Sequence, residues 1–106
     1  MIIATIHDIP GYDVSEILGI VQGNTIRARS VFRDLLAFLK NVIGGEIEEY
    51  TKLLAESRDQ AVDRMIEQAE ALGADAILDM RFSTSEIMSG AAEILAYGTA
   101  VKLKKK

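Results

Sequence analysis

The only histidine of the 106-residue chain, His7, precedes Asp8, the one point where an imidazole and a carboxylate adjoin in sequence. Such a pair could ligate a metal ion or take part in proton transfer. If both residues lie on a strand, their side chains point to opposite faces and do not chelate one ion together. His7 is the candidate metal ligand that the residues themselves offer. There is no cysteine, hence no disulfide, no thiolate nucleophile and no thiolate metal site. Soft heavy metals favour thiolate, then thioether or imidazole, so the donor set is poor. Met1, Met65, Met80 and Met88 carry thioethers, and Asp13 with Glu16 could meet a hard cation. Scattered methionines and carboxylates more often serve as core filler and solvated surface.

Hydrolytic triads need a nucleophile, a base and an orienting group, and His7 is the sole imidazole base. The sequence therefore points away from that class. Glu46, Glu48 and Glu49 are clustered carboxylates, but they fall where a helix starts and its dipole favours negative charge. Glu48 also stands four residues before Lys52, the spacing of an exposed helical ion pair. Gly19-Ile20-Val21-Gln22-Gly23 has neither the spacing of a dinucleotide loop nor a P-loop lysine.

A formal charge of -4 and a pI near 4.9 oppose nucleic-acid binding, which rests on a basic face. The one basic cluster is Lys102, Lys104, Lys105 and Lys106, read as a solvated terminus that blunts a strand edge. No run is apolar enough to cross a bilayer and no signal peptide is visible at Met1-Ile2-Ile3-Ala4, so the expected compartment is the cytoplasm. With 49% hydrophobic and 26% charged residues, the composition is that of a folded soluble chain, expected to form a single domain over residues 1–106.

The elements that must position these residues follow from periodicity. Met1 to Ile6 predicts a short terminal strand, and Pro10-Gly11 a turn. Val14 to Arg27 predicts a strand bent at Gly19 and Gly23. Ser30 is a plausible N-cap for a first helix carrying Phe32, Leu35, Leu36, Leu39, Val42 and Ile43 at helical spacing. Gly44-Gly45 would join it tightly to a long helix from Glu46 to Leu72, with Gly44 in the left-handed conformation and Gly45 at the N-cap. Along that helix Ile47, Tyr50, Leu54, Ser57, Ala61, Met65, Ala69 and Leu72 recur at steps of three and four on one stripe, until Gly73 stops it. Ala76 to Phe82 predicts a third strand, Ser83 to Gly90 a polar connection, and Ala91 to Leu103 a final strand apolar on both parities. The expected class is α+β in the order β-β-α-α-β-β, with a small, mainly antiparallel sheet packed on two helices. A long helix with a wide apolar face and a doubly apolar last strand exceed what so few elements can cover. Self-association, as a homo-oligomer, is the economical expectation.

Arg33-Asp34, Gly44-Gly45 followed by Tyr50, Arg58 and Ala61, then Gly73-Ala74-Asp75-Ala76 and Gly98-Thr99-Ala100-Val101, resemble the YbjQ-like family of bacteria and archaea. The likeness runs from Ile2-Ile3 to the last strand. It implies a small α+β subunit in a ring-like homo-oligomer, typically a pentamer. It also brings a heavy-metal-binding label. On the resemblance, Arg33, Asp34, Tyr50 and Arg58 are candidate binding residues that would line a pocket between helices or between subunits, with arginine holding an anion. Alternatively, they form an ion-pair network that fixes the helix corner or the interface. Gly44, Gly45, Gly73 and Gly98 are its structural positions. The reading is an oligomeric binding or scaffold protein with no cofactor identified and itself as partner, whose small-molecule or ion ligand the sequence does not name. A metal-ion-binding protein is the first alternative, and an enzyme with a site at a subunit interface the second.

Overall fold

A computed structural model describes residues 1–27, 48–88 and 91–106. Within them the order is β1 (Ile2–Ile3), β2 (Tyr12–Arg27), α1 (Glu48–Ala71), β3 (Ala76–Met88) and β4 (Ala91–Lys105). The four strands form one sheet in the order β1-β3-β4-β2. β4 runs antiparallel to both neighbours, whereas β1 runs parallel to β3, so the sheet is mixed. The class is α+β with one described helix. The expected first helix, with Arg33 and Asp34, and the Gly44-Gly45 corner fall outside the described residues, so the two-helix order is not established.

Two expected boundaries are corrected. Ser83 to Gly90 was expected to be a polar connection, yet β3 continues through this stretch to Met88, with Ser83 opposite Leu95 and Thr84 opposite Ile94. Polar residues stay in strand here because a long apolar neighbour supplies the ladder, and strand preference follows context more than residue type. The first strand is shorter than Met1 to Ile6. Beyond Ile3 the backbone turns away, and its bonds go to a bulge in β3: the Met80 amide donates to the Ala4 carbonyl (3.0 Å) and the Asp79 amide to that of Ile6 (3.1 Å). At this bulge Asp79 is left-handed (φ 52°), a conformation that aspartate tolerates better than bulky residues do.

Strand β2 explains an odd spacing. Its apolar residues Val14, Ile17 and Ile20 stand three apart, which suits no regular strand. Register shifts between Val14 and Glu16 and between Ile17 and Gly19 each insert an extra residue, Ser15 and Leu18. The three residues therefore face Leu103, Val101 and Thr99, successive same-face positions of β4. The Ser15 hydroxyl donates to the carbonyl of Lys102 at 3.1 Å beside the first shift, and Gly19 takes φ 120° at the second.

The opposite face packs on α1. Ser57, Ala61, Met65 and Ala69, part of the predicted stripe, are buried, together with Val21, Ile77, Met80, Ile94, Ala96 and Ala100 of the sheet. Small residues dominate this contact and bring the backbones close. Gly98 lies under β3, where a Cβ would meet Ile77 Cγ2 at 2.6 Å, so no larger residue fits without displacement. Buried Thr25 donates through Oγ1 to the carbonyl of Ser57 at 3.0 Å, satisfying its hydroxyl inside the core.

The helix ends in a Schellman arrangement. Gly73 takes φ 75°, its amide donates to the Glu70 carbonyl (3.0 Å), and the Ala74 amide donates to that of Ala69 (3.0 Å). Asp75 then fastens the corner: its amide donates to the Val101 carbonyl, and its Oδ2 accepts from the Leu103 amide, both at 2.9 Å.

Candidate functional site

With α1 on one face, the other face of the sheet is largely bare among the described residues. Tyr12, Val14, Ile17, Ile20 and Ile26 of β2 share it with Leu95, Tyr97, Thr99, Val101 and Leu103 of β4, because the register pairs them directly or through the intervening Gln22 and Asn24. At one end a small cluster of Ala76, Leu78 and Val101 is closed over by Ala4, Ile9 and Leu103. Among the described residues the covering stops there. Ile17 is 71% and Ile20 77% exposed, far beyond what an isolated surface isoleucine requires. Ile26 and Tyr97 continue the patch along the sheet. An apolar area on this scale is characteristic of an interaction surface.

The sequence reading expects a further surface to cover β4, and it does not single out these residues of β2. The signal was present: three apolar residues at intervals of three, interrupted by a serine and by a leucine-glycine pair, are the trace of two bulges that keep one face apolar.

His7 lies in a bend, not a strand, so the opposite-face exclusion does not apply. Its Nε2 is 3.8 Å from Asp8 Oδ2 and its Nδ1 is 4.0 Å from Asp79 Oδ1. The carboxylates thus flank opposite ring nitrogens, and one ion bonded to one nitrogen does not collect both. His7 and Asp8 are also open to water, where such pairing contributes little. Among the described residues no three His, Cys, Asp or Glu side chains converge as a metal group would require. With no cysteine anywhere in the chain, the residues present do not fit a soft metal ion.

A cleft of about 320 Å3 lies next to this region, between the turn at Asp8, Ile9 and Pro10, the start of β2 and the end of β4. Asp13 lines it and pairs there with Lys106 at 3.8 Å, so Asp13 does not stand with Glu16 as a bare carboxylate pair.

The four residues drawn from the family pattern are placed unequally. Arg33 and Asp34 lie outside the described residues. Tyr50 belongs to the first turn of α1, and Arg58 is exposed two turns on. No described helix is long and apolar enough to cross a membrane.

Among the described residues, a four-stranded mixed sheet with one long helix packed on it, and a Gly73 corner leading into β3, defines a small α+β class. The chain belongs to the YbjQ-like family: the family model, described as "Putative heavy-metal-binding", matches residues 1–104. A UPF0145 protein of Archaeoglobus fulgidus is 57% identical over 98% of this chain and 96% of its own length. One from Thermotoga maritima is 56% identical over 99% of each. A crystal structure of a protein of unknown function from Pediococcus pentosaceus, assigned to the DUF74 family, has a TM-score of 0.64 over 98% of both chains. At 18% identity it shows the fold alone.

Proposed function

We propose that the chain is a homo-oligomeric binding or scaffold subunit whose copies meet through the face of the sheet opposite α1. The observation that carries this reading is the run of Val14, Ile17, Ile20 and Ile26, held on one face by two bulges and left exposed. Two bulges that keep these apolar residues on one face support the use of that face. Burying apolar area yields roughly 25 cal/mol per Å2, so several isoleucines on each copy would contribute substantially to association. The ring-like pentamer that the family resemblance implies is the assembly proposed. The metal reading rests on the family description alone. Native mass spectrometry of the purified chain tests the proposal: a multiple of the 11.6 kDa mass supports it, and a monomer rejects it. The same spectrum reports any retained ion or small molecule.

A further inference from the structure

The outer edge of β2 holds a second relationship, independent of the apolar face. Among the described residues β2 is the terminal strand of the sheet, so one side of its backbone has no neighbouring strand. In an antiparallel strand the amide and carbonyl of each residue point to the same side, and this side alternates along the chain. The Gln22 amide donates to Gln68 Oε1 at 2.9 Å, and the Asn24 carbonyl accepts from Arg64 Nη1. Both groups have the parity of the free edge. Side chains of α1 therefore occupy the positions where a further strand would bond.

Around this point the strand is self-complementary. Read outward from Gly23, Gln22 answers Asn24, Val21 answers Thr25 and Ile20 answers Ile26. Val21 and Thr25 are buried on the helix side, while Ile20 and Ile26 are exposed on the other. A two-fold antiparallel pair needs this property, because residue i of one copy meets j of the other and j meets i. Like would meet like on both faces: isoleucine with isoleucine, one β-branched residue with another, amide with amide. From Gly19 to Ile26 there is no proline and no charge, the usual devices that keep an edge from pairing.

We propose that Ile20 to Ile26 is a latent self-pairing surface for a second copy of this chain, centred on Gly23 and held shut by Arg64 and Gln68. In that pair the Gln22 amide would bond to the partner copy's carbonyl at position 24, the bond now made within one chain by α1. Gly23 is part of the device. Without a Cβ, it lets the helix come close enough for these two side chains to reach the edge.

The chain has no cysteine, so crosslinking gives a clean readout. In an Ile20→Cys/Ile26→Cys background, the paired register sets residue 20 of one copy against residue 26 of the other. Within one strand the two positions are about 20 Å apart, beyond a short bismaleimide. Replacing both guards, Arg64→Ala/Gln68→Ala, is expected to raise crosslinked dimer roughly fivefold or more over the background that keeps them. Gln68→Ala alone, which leaves the core and Arg64 in place, should give a smaller rise in the same direction. No rise in folded protein of either variant, judged by circular dichroism, overturns the proposal. So does crosslinking that is already complete with both guards present. Subunit number, measured by light scattering on Arg64→Ala/Gln68→Ala chains that keep Ile20 and Ile26, reports separately on assembly through the sheet face.

Discussion

Gly23 lies so close beneath α1 that a Cβ placed on it would come within 2.7 Å of the Cβ of Arg64, and nearer still to the backbone at Ala61 and Met65. Helix and strand touch here backbone to backbone. The register of α1 on the sheet, and with it the burial of Ala61 and Met65, depends on this single missing side chain.

Gly23→Ala should therefore destabilise the subunit by about 1–3 kcal/mol, the usual cost of forcing an added group into a packed contact. Urea unfolding followed by circular dichroism measures it. An unchanged midpoint would mean that the helix shifts freely and that the close approach is not required.

Gly73→Ala probes the helix stop. At φ 75° an alanine carries the left-handed penalty, so a loss of roughly 1 kcal/mol is expected. A Cβ there would meet nothing closer than the flexible end of Lys102, at 3.9 Å, so the effect isolates backbone strain from crowding. Wild-type stability in this variant would show that the Schellman corner tolerates a side chain.

Met65→Ala tests the core itself. Met65 is fully buried among Val21, Ala61, Ala69 and the sheet, and truncation should cost about 2–5 kcal/mol. If thermal and urea unfolding both leave stability within a few tenths of a kcal/mol of wild type, α1 is not held by this stripe.

Much of this was legible in the sequence because it is local. The stripe from Ser57 to Ala69 follows helical spacing, and Gly73 can end a helix wherever it stands. Strand β4, apolar on both parities, pointed to packing on both faces, and the structure gives it the α1 core on one side and the small cluster around Ala76, Leu78 and Val101 at one end of the other. What escaped was set by partners distant in sequence. Ser83 to Met88 is a strand because β4 lies beside it, and the three-residue spacing of Val14, Ile17 and Ile20 makes sense only against the register of β4. Gly23 read as a bend in a strand, since nothing local says that a helix some forty residues later will press on it. The site residues taken from the family pattern divide in the same way: Arg58 is visible on α1, while Arg33 and Asp34 lie outside the described residues.

Zinc should not bind with the affinity of a structural site. His7 offers its two nitrogens to carboxylates on opposite sides, and no thiolate exists to complete a set. Isothermal titration with zinc is expected to show no stoichiometric submicromolar event. A submicromolar event that vanishes in His7→Ala would overturn this expectation and identify His7 as a ligand.

The central claim, assembly through the sheet face opposite α1, is tested most directly by multi-angle light scattering at low micromolar concentration on two proteins. The unmodified chain is expected to elute at several times 11.6 kDa. Ile17→Ser/Ile20→Ser, which changes two exposed side chains outside the core, should retain its circular dichroism and fall to a smaller species. A folded 11.6 kDa species from the unmodified chain would contradict the account, and so would an assembly of unchanged mass in the double variant.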